Sequence, residues 1–167
     1  MNLGRCRRAA AAQACAQARL PGISAAVTDS TARLPHPRPG LTHDNRFFWE
    51  GLAARQLLIQ RCAGCGRLQH PPAPMCPACH GFTMDAVEAS GRGVIHSFVV
   101  VHHPPVPPFA YPNVIVLVEL AEGTRLVSRL VGVDPDDVRI GMSVAVDFET
   151  VDGDLALHFF RAAAGTR

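Results

Sequence analysis

Four cysteines in the middle of the chain carry the strongest chemical signal in the sequence. Two residues separate Cys62 from Cys65, two separate Cys76 from Cys79, and ten residues lie between the pairs. Two such pairs at short separation can place four thiolates at the corners of a tetrahedron, the geometry that Zn²⁺ prefers. Because four sulfur ligands leave no position for water, the spacing predicts a structural rather than a catalytic zinc ion.

The residues next to the cysteines refine this prediction but leave the metal open. Gly66 follows Cys65 and permits the positive φ of a tight metal-binding turn, whereas His80 and Gly81 follow Cys79, so the second turn is expected to differ slightly. A rubredoxin-type iron centre uses the same four ligands, and the sequence does not distinguish it from zinc. Two disulfides are disfavoured because nothing points to secretion, which also favours a cytoplasmic location. Thioredoxin-like redox chemistry lacks the surrounding βαβ pattern.

The segment before the first cysteine reads as a helix over residues 42–60. Thr42 or Asp44 can serve as N-cap before the aromatic residues Phe47, Phe48 and Trp49. Three consecutive aromatic side chains cannot all face one small core. We therefore expect some of them to contact either the sheet of this protein or a partner chain.

Residues 85–162 read as an all-β module. Strands are expected at residues 87–89, 93–102, 113–121, 124–131, 144–151 and 155–162, separated by glycine, proline and aspartate turns. Short strands at this density favour a small barrel, and Gly91 and Gly93, beside its first long strand, would suit the bulge or coil that closes such a barrel. Residues 114–118 are apolar at every position, which predicts that both faces of that strand are covered, one by the barrel interior and one by a helix or partner.

Charge divides the chain into two regions. All sixteen basic residues are arginine, and residues 40–167 carry ten of them against thirteen acidic residues. The body is therefore not a basic nucleic-acid-binding surface. Residues 1–39 hold six arginines and Asp29; we interpret them as a disordered tail or a mis-assigned extension, with a transit-type peptide as the alternative. Cys6 and Cys15 in this tail receive no role. No apolar run approaches the roughly 20 residues of a membrane-spanning helix.

Catalytic patterns are otherwise scarce. The sequence contains no Gly-x-Ser-x-Gly, no P-loop and no Gly-x-Gly-x-x-Gly after a strand. His102 and His103 could act as acid or base, but no carboxylate lies near them in sequence, and exposed loop-edge histidines are the expected outcome. We therefore predict no catalytic residue in this chain, although a free-standing enzyme that uses His102 or His103 stays an alternative.

The order of helix, four-cysteine ribbon and barrel resembles a known family. The matching stretches are residues 47–52, 57–62, 65–69, 71–72, 76–79, 90–94 and 134–142. They are similar to the acyl-CoA-associated OB-fold proteins that carry a rubredoxin-like zinc ribbon, known as domain of unknown function thirty-five. The resemblance implies a mainly β protein with an N-terminal helix, a zinc ribbon at residues 61–83 and a five-stranded OB barrel at residues 85–162.

The resemblance also implies a function. Members of this family generally act as non-catalytic partners of thiolase-like enzymes, including lipid-transfer-protein-like aldolases of sterol side chains, and they also bind or are fused to acyl-CoA hydratases. The CoA thioester is then a possible ligand. Arg92, Arg125 and Arg129 could contact CoA phosphates, and the proline-rich loop at residues 103–112 joins two barrel strands where OB folds commonly bind ligands. A single-stranded nucleic-acid-binding module is the alternative, disfavoured by the acidic body.

Overall fold

The computed structural model describes residues 34–163. Within this range the chain is mainly β, as predicted, with one α-helix that precedes all the strands. The elements are α1 (Arg46–Ala53), β1 (Leu58–Cys62), β2 (Leu68–Gln69), β3 (Met84–Glu88), β4 (Arg92–Val101), β5 (Asn113–Leu120), β6 (Arg125–Arg129), a 3-10 turn (Pro135–Asp137), β7 (Ser143–Val151) and β8 (Leu155–Ala162).

A small antiparallel sheet carries the first cysteine. Its strand order is β2-β1-β3, and β1 pairs with β3 from Leu58 opposite Glu88 to Cys62 opposite Met84. Arg61 and Asp85 are also partners in this register and form an ion pair of 2.7 Å. The strand that was predicted at residues 87–89 as part of the barrel therefore belongs to this sheet instead.

The other five strands form a second antiparallel sheet in the order β6-β5-β4-β7-β8. Its two edges approach each other where Leu130, just after β6, forms a parallel bridge with Phe160 of β8. The amide of Val131 donates to the carbonyl of Phe160 at 2.9 Å. This contact between edge strands is what a small barrel requires.

Two glycines shape the entry into β4. A Cβ on Gly93 would lie 2.4 Å from the carbonyl oxygen of Glu119, so only glycine allows β4 and β5 to approach as closely as they do. Gly91 has a φ of 71° in the turn before the strand. The register shift itself lies farther along, between Ile95 and Ser97. The prediction that the glycines form the bulge is therefore wrong in position.

The helix α1 is shorter than the predicted segment 42–60. It begins after Asn45, so neither Thr42 nor Asp44 is the N-cap; the side chain of Asn45 instead accepts a hydrogen bond from the amide of Thr42 at 2.8 Å. It ends at Ala53 because Arg55 adopts a φ of 60°, which a right-handed helix does not allow. The chain then extends to begin β1 at Leu58.

The three consecutive aromatic residues have different surroundings. Phe48 is buried in the core with Leu52, which occupies the next turn of α1. Phe47 is half-buried beside a hollow that Phe82 also lines, and Trp49 is half-buried beside a second hollow that includes Leu155. The expectation that one small core could not hold all three agrees with this arrangement.

The outer face of β5 is only partly covered. Val114, Val116, Val118 and Leu120 are buried, whereas Ile115 and Leu117 between them are half-exposed. The helix α1 packs against β1 and β8 and not over this face, so cover by a helix is not found in the described residues, and cover by a partner stays a prediction. Cross-strand pairing places Ile115 beside Val99 and Leu117 beside Val127. We call these four residues the outer apolar face; Val99 and Val127 are 58% and 60% exposed.

The described part of the predicted tail contacts the barrel. His36 donates from its amide to the carboxylate of Asp152 at 2.6 Å, and Arg38 forms an ion pair of 2.7 Å with Asp154. Residues 34–39 therefore lie against the turn between β7 and β8, whereas residues 1–33, with Cys6 and Cys15, fall outside the described residues. In the described range, no helix is long and apolar enough to cross a membrane.

Candidate metal centre

Two similar backbone turns present the four cysteines. In the first, the amide of Gly66 donates to the carbonyl of Cys62 at 2.8 Å; in the second, the amide of His80 donates to the carbonyl of Cys76 at 2.9 Å. Each turn is closed by a second bond, from the amide of its first cysteine to the carbonyl five residues later: Cys62 to Arg67 and Cys76 to Gly81, both at 2.9 Å. The first turn is held by the end of β1, which fixes the position of Cys62.

The residue after the second cysteine is left-handed in both turns. Gly66 has a φ of 74° and His80 a φ of 58°. Glycine adopts this conformation at no steric cost, whereas in histidine the Cβ atom crowds the backbone and makes the conformation less favourable. The two turns were predicted to differ. They do differ in the residue that takes the left-handed conformation and in its backbone strain, but they follow the same backbone path. Gly81 leaves room next to the site, since a Cβ there would lie 3.4 Å from the sulfur of Cys79.

The four sulfur atoms converge. All lie within 4.8 Å of one another, with Cys62 and Cys79 3.5 Å apart and Cys65 and Cys76 3.6 Å apart. A tetrahedral ion with Zn–S bonds of about 2.3 Å places its sulfurs about 3.8 Å apart, whereas a disulfide bond measures only about 2.05 Å. The donor set and the spacing therefore fit a four-thiolate metal ion and do not fit disulfides.

Without an ion, the surroundings shift the pKa values of the cysteine thiols in different directions. The amides of Cys79 and Ala78 point at the sulfur of Cys76 and lower its pKa to about 6. The amide of Cys65 likewise lowers the pKa of Cys62. Although the amide of Gly81 acts to lower it, the sulfurs of Cys62, Cys65 and Cys76 raise the pKa of Cys79 to about 12. Four thiolates at this distance repel one another, so a cation is required for all of them to ionise together.

The three arginines that were predicted to contact CoA are not brought together. Arg92, Arg125 and Arg129 line three different hollows of the barrel surface. Arg125 forms an ion pair with Glu119 at 3.1 Å, and Arg129 forms one with Glu149. Arg92 has no ion pair to a carboxylate among the described residues, so it is the most available of the three for a phosphate.

The other histidines divide into two groups. His102 and His103 are exposed beyond the end of β4, and neither makes a hydrogen bond or ion pair within the described residues. His70 and His158, in contrast, lie against the ring of Phe48. Sequence reasoning missed the contact between His158 and His70, because the two residues are 88 positions apart in the sequence and no local motif signals their meeting.

Comparison with known proteins places these observations in a family. The zinc-ribbon model described as "ChsH2, rubredoxin-like zinc ribbon domain" matches residues 49–85, and "ChsH2, C-terminal OB-fold domain" matches residues 86–149. A DUF35 domain-containing scaffold protein of Methanocaldococcus jannaschii is 36% identical over 114 residues, which cover 64% of this chain and 79% of the relative. The chain belongs to the DUF35 family. Its ribbon and OB barrel, both predicted from the resemblance, are thereby confirmed, as is a structural metal-binding site.

Two further relatives are similar over more of this DUF35 chain. A solved structure described as "Ltp2-ChsH2(DUF35) aldolase" has a TM-score of 0.73 and 51% identity; the match covers 76% of this chain and all of that one. The probable enoyl-CoA hydratase alpha subunit of Thermomonospora curvata is 50% identical over 139 residues, which cover 81% of this chain and 44% of the relative. The chain thus spans less than half of the length of that hydratase subunit.

Proposed function

We propose that this DUF35 chain is a non-catalytic accessory subunit of an acyl-CoA enzyme of the thiolase superfamily. The observation that carries the proposal is the match to the Ltp2-ChsH2(DUF35) aldolase structure, which this chain covers in full at 51% identity. That structure is described as an aldolase complex that contains a DUF35 component. A chain that corresponds to the whole of such a component is expected to assemble with an enzyme in the same way.

The surface and the site of the chain support this role. The outer apolar face presents Val99 and Val127 to solvent on a sheet whose opposite side is the core. Apolar side chains on an otherwise polar surface are typical of a protein interface. A four-cysteine site offers no open coordination position, so the chain is expected to contribute shape while its partner supplies the catalytic residues.

The metal in this proposal is zinc, held by Cys62, Cys65, Cys76 and Cys79. When bound it supplies a structural cross-link between the two turns, because four thiolates saturate its coordination. The residues of the chain prepare the site: amides aimed at Cys62 and Cys76 favour their thiolates, and the sheet of β1, β2 and β3 positions the first turn. Iron could occupy the same four ligands, and elemental analysis of the purified protein distinguishes it from zinc.

The acyl-CoA part of the proposal rests on Arg92. Its guanidinium group is exposed beside a hollow of about 670 Å³ that Ser143 and Ala145 also line. We expect Arg92→Ala to weaken CoA binding to the assembled complex about ten-fold, measured by titration calorimetry, since it removes a cation from a phosphate contact. Arg46→Ala, at an exposed arginine of α1, is the matched control. If the two variants bind CoA with equal affinity, Arg92 does not contact CoA.

The partnership is tested by affinity purification of the full zinc-loaded chain from its native source. A thiolase-like or lipid-transfer-protein-like enzyme, identified by mass spectrometry and present in stoichiometric amount, is the expected result. An acyl-CoA hydratase in its place would keep the accessory role and change the enzyme class. Recovery of nucleic acid, recovery of the chain alone, or acyl-CoA turnover by the purified chain that His102→Ala abolishes would each contradict the proposal.

A further inference from the structure

Two histidines from different parts of the fold meet at one aromatic ring. His70 follows β2 in the ribbon, His158 lies on β8 of the barrel, and Phe48 belongs to α1. The centroid of the Phe48 ring lies 4.9 Å from that of His70 and 5.6 Å from that of His158. We call these three residues the histidine junction. Through it, a single side chain of the helix contacts both the ribbon and the barrel.

Three of the four ring nitrogens in the histidine junction are buried without a hydrogen-bond partner among the described residues, and Nε2 of His70 is not one of them. Both ring nitrogens of His158 and the Nδ1 atom of His70 have no partner and no contact with solvent. Burial lowers the pKa of His158, and the backbone of Val127 opposes this effect only in part. Burial, and after it the charge of His158, lower the pKa of His70 to about 4. Both rings are therefore neutral at pH 7, the form that an apolar contact with Phe48 tolerates.

Within residues 34–163, no carboxylate forms an ion pair or a hydrogen bond with either ring. Burial and His158 account for the shift of His70, and burial and the backbone of Val127 account for that of His158. The charged side chains of the neighbouring elements form no ion pair or hydrogen bond with either ring. They are Arg46 and Glu50 of α1, Arg61 of β1, Asp85 and Glu88 of β3, Arg125 and Arg129 of β6, Asp147 and Glu149 of β7, and Arg161 of β8.

We propose that the histidine junction is a proton-sensitive connection between the ribbon and the barrel, closed when both imidazoles are neutral and opened when they are protonated. Protonation would leave the Nδ1–H group of His70 and the two ring N–H groups of His158 buried without partners, and the two cations would repel each other, so it favours separation of the rings. The connection is distinct from the metal site, since His70 is five residues from Cys65 and six from Cys76. It does not depend on the proposed enzyme partner.

The direction of the pH effect follows from linkage. The histidines of the open form titrate near 6.5, whereas those of the closed form hold lower values, so the open form binds more protons in acid. The closed junction is therefore fully stable above a pH of about 6.5 and loses stability as the pH falls from there toward about 4. Over that interval the ratio of open to closed molecules should rise by up to about ten-fold per pH unit for each histidine.

The chain contains a built-in probe of this opening. Trp49 is its only tryptophan, and its ring centroid lies 5.4 Å from that of Phe48. The experiment follows three signals on the full zinc-loaded chain between pH 8 and pH 4.5: the fluorescence of Trp49, the imidazole resonances of His70 and His158, and zinc release to a chromogenic chelator. The double variant His70→Leu/His158→Leu replaces both rings with non-titrating apolar groups, and His102→Leu is the control at an exposed site.

The expected result is a fluorescence transition below pH 6.5 that coincides with titration of both imidazoles, precedes zinc release, persists in the control and disappears in the double variant. Zinc release in acid should occur in every variant, since it reflects protonation of the thiolates. Imidazoles that titrate near 6.5 while the fluorescence stays constant would overturn the proposal. So would the same transition in the double variant, or a transition that accompanies zinc release alone. If the double variant fails to fold, the imidazole titration of the unsubstituted chain still decides.

Discussion

At the level of single residues, the four cysteines differ in burial and in proton affinity. Cys62 and Cys76, the first of each pair, are buried, whereas Cys65 and Cys79 are exposed. The buried members are also those whose pKa neighbouring amides lower. Each turn thus offers one sheltered and one accessible sulfur. The sequence predicted the ligands from their spacing alone, but the difference between the members of a pair depends on the folded turns.

Cys76→Ser should remove the metal and the structure that depends on it. Loss of one ligand breaks a closed four-sulfur site, and metal binding in ribbons of this size contributes on the order of 10 kcal/mol to folding. We expect metal content to fall from one ion per chain to near zero and the amides of β1, β2 and β3 to lose protection from hydrogen exchange. Cys15→Ser, in the tail, is the control. Full metal content in Cys76→Ser would contradict the assignment.

His80→Gly should stabilise the chain. The φ of 58° at His80 is strained for a residue with a Cβ, and glycine relieves a cost of about 1 kcal/mol, less the entropy that it adds to the unfolded state. The free energy of unfolding, from denaturant titration with zinc present, is expected to rise by about 0.5 kcal/mol. His43→Gly, in a fully exposed loop position, carries only the entropic cost and should not rise. A decrease for His80→Gly as large as for His43→Gly would refute the strain argument.

At the level of elements, strands were predictable from the sequence where apolar and polar residues alternate and turn residues follow. Element ends and register shifts were less predictable where they depend on pairing with residues distant in the sequence. Residues 155–162 were predicted and occur as β8 with the same ends. The end of α1 was missed because Arg55 turns left-handed to let Leu58 pair with Glu88, a contact across thirty residues of sequence. The register shift beyond Gly93 was misplaced for the same reason, since it depends on which residues of β5 face β4.

Gly93→Ala tests the close approach of β4 and β5. The added Cβ would meet backbone at 2.4 Å, which cannot move without separating the two strands. We expect the free energy of unfolding to fall by about 2 kcal/mol or more, measured by denaturant titration. Gly40→Ala, where no atom lies within 4 Å of the added Cβ, should leave stability nearly unchanged. Equal stability of the two variants would show that the sheet adjusts freely.

At the level of the whole molecule, the chain buries one face of its barrel and leaves part of the other to solvent. Sequence reasoning inferred from residues 114–118 that something must cover the second face, and within the described residues that face stays half-exposed at Ile115 and Leu117. That missing cover is consistent with the proposed partner. The histidine junction, by contrast, could not be predicted, because it depends on how helix, ribbon and barrel pack together.

Val127→Glu should weaken the proposed complex while leaving the chain folded. Val127 is 60% exposed on the outer apolar face, so a carboxylate there costs little in the free chain and would be desolvated at an interface. We expect affinity for the purified partner enzyme to fall about ten-fold or more, measured by surface binding or calorimetry. Ile140→Glu, 69% exposed outside β4, β5 and β6, is the matched control. Unchanged affinity for Val127→Glu would move the interface elsewhere.

The uneven cysteine turns also govern how the site meets electrophiles after chelation. Rapid alkylation needs a sulfur that is both accessible and ionised. Cys76 ionises readily but is buried, and Cys79 is accessible but retains its proton. Reagents such as iodoacetamide should therefore modify these two positions slowly, and the buried Cys62 slowly as well. A protein that loses its ion would in this way keep most of its ligands unmodified for as long as the two turns remain folded.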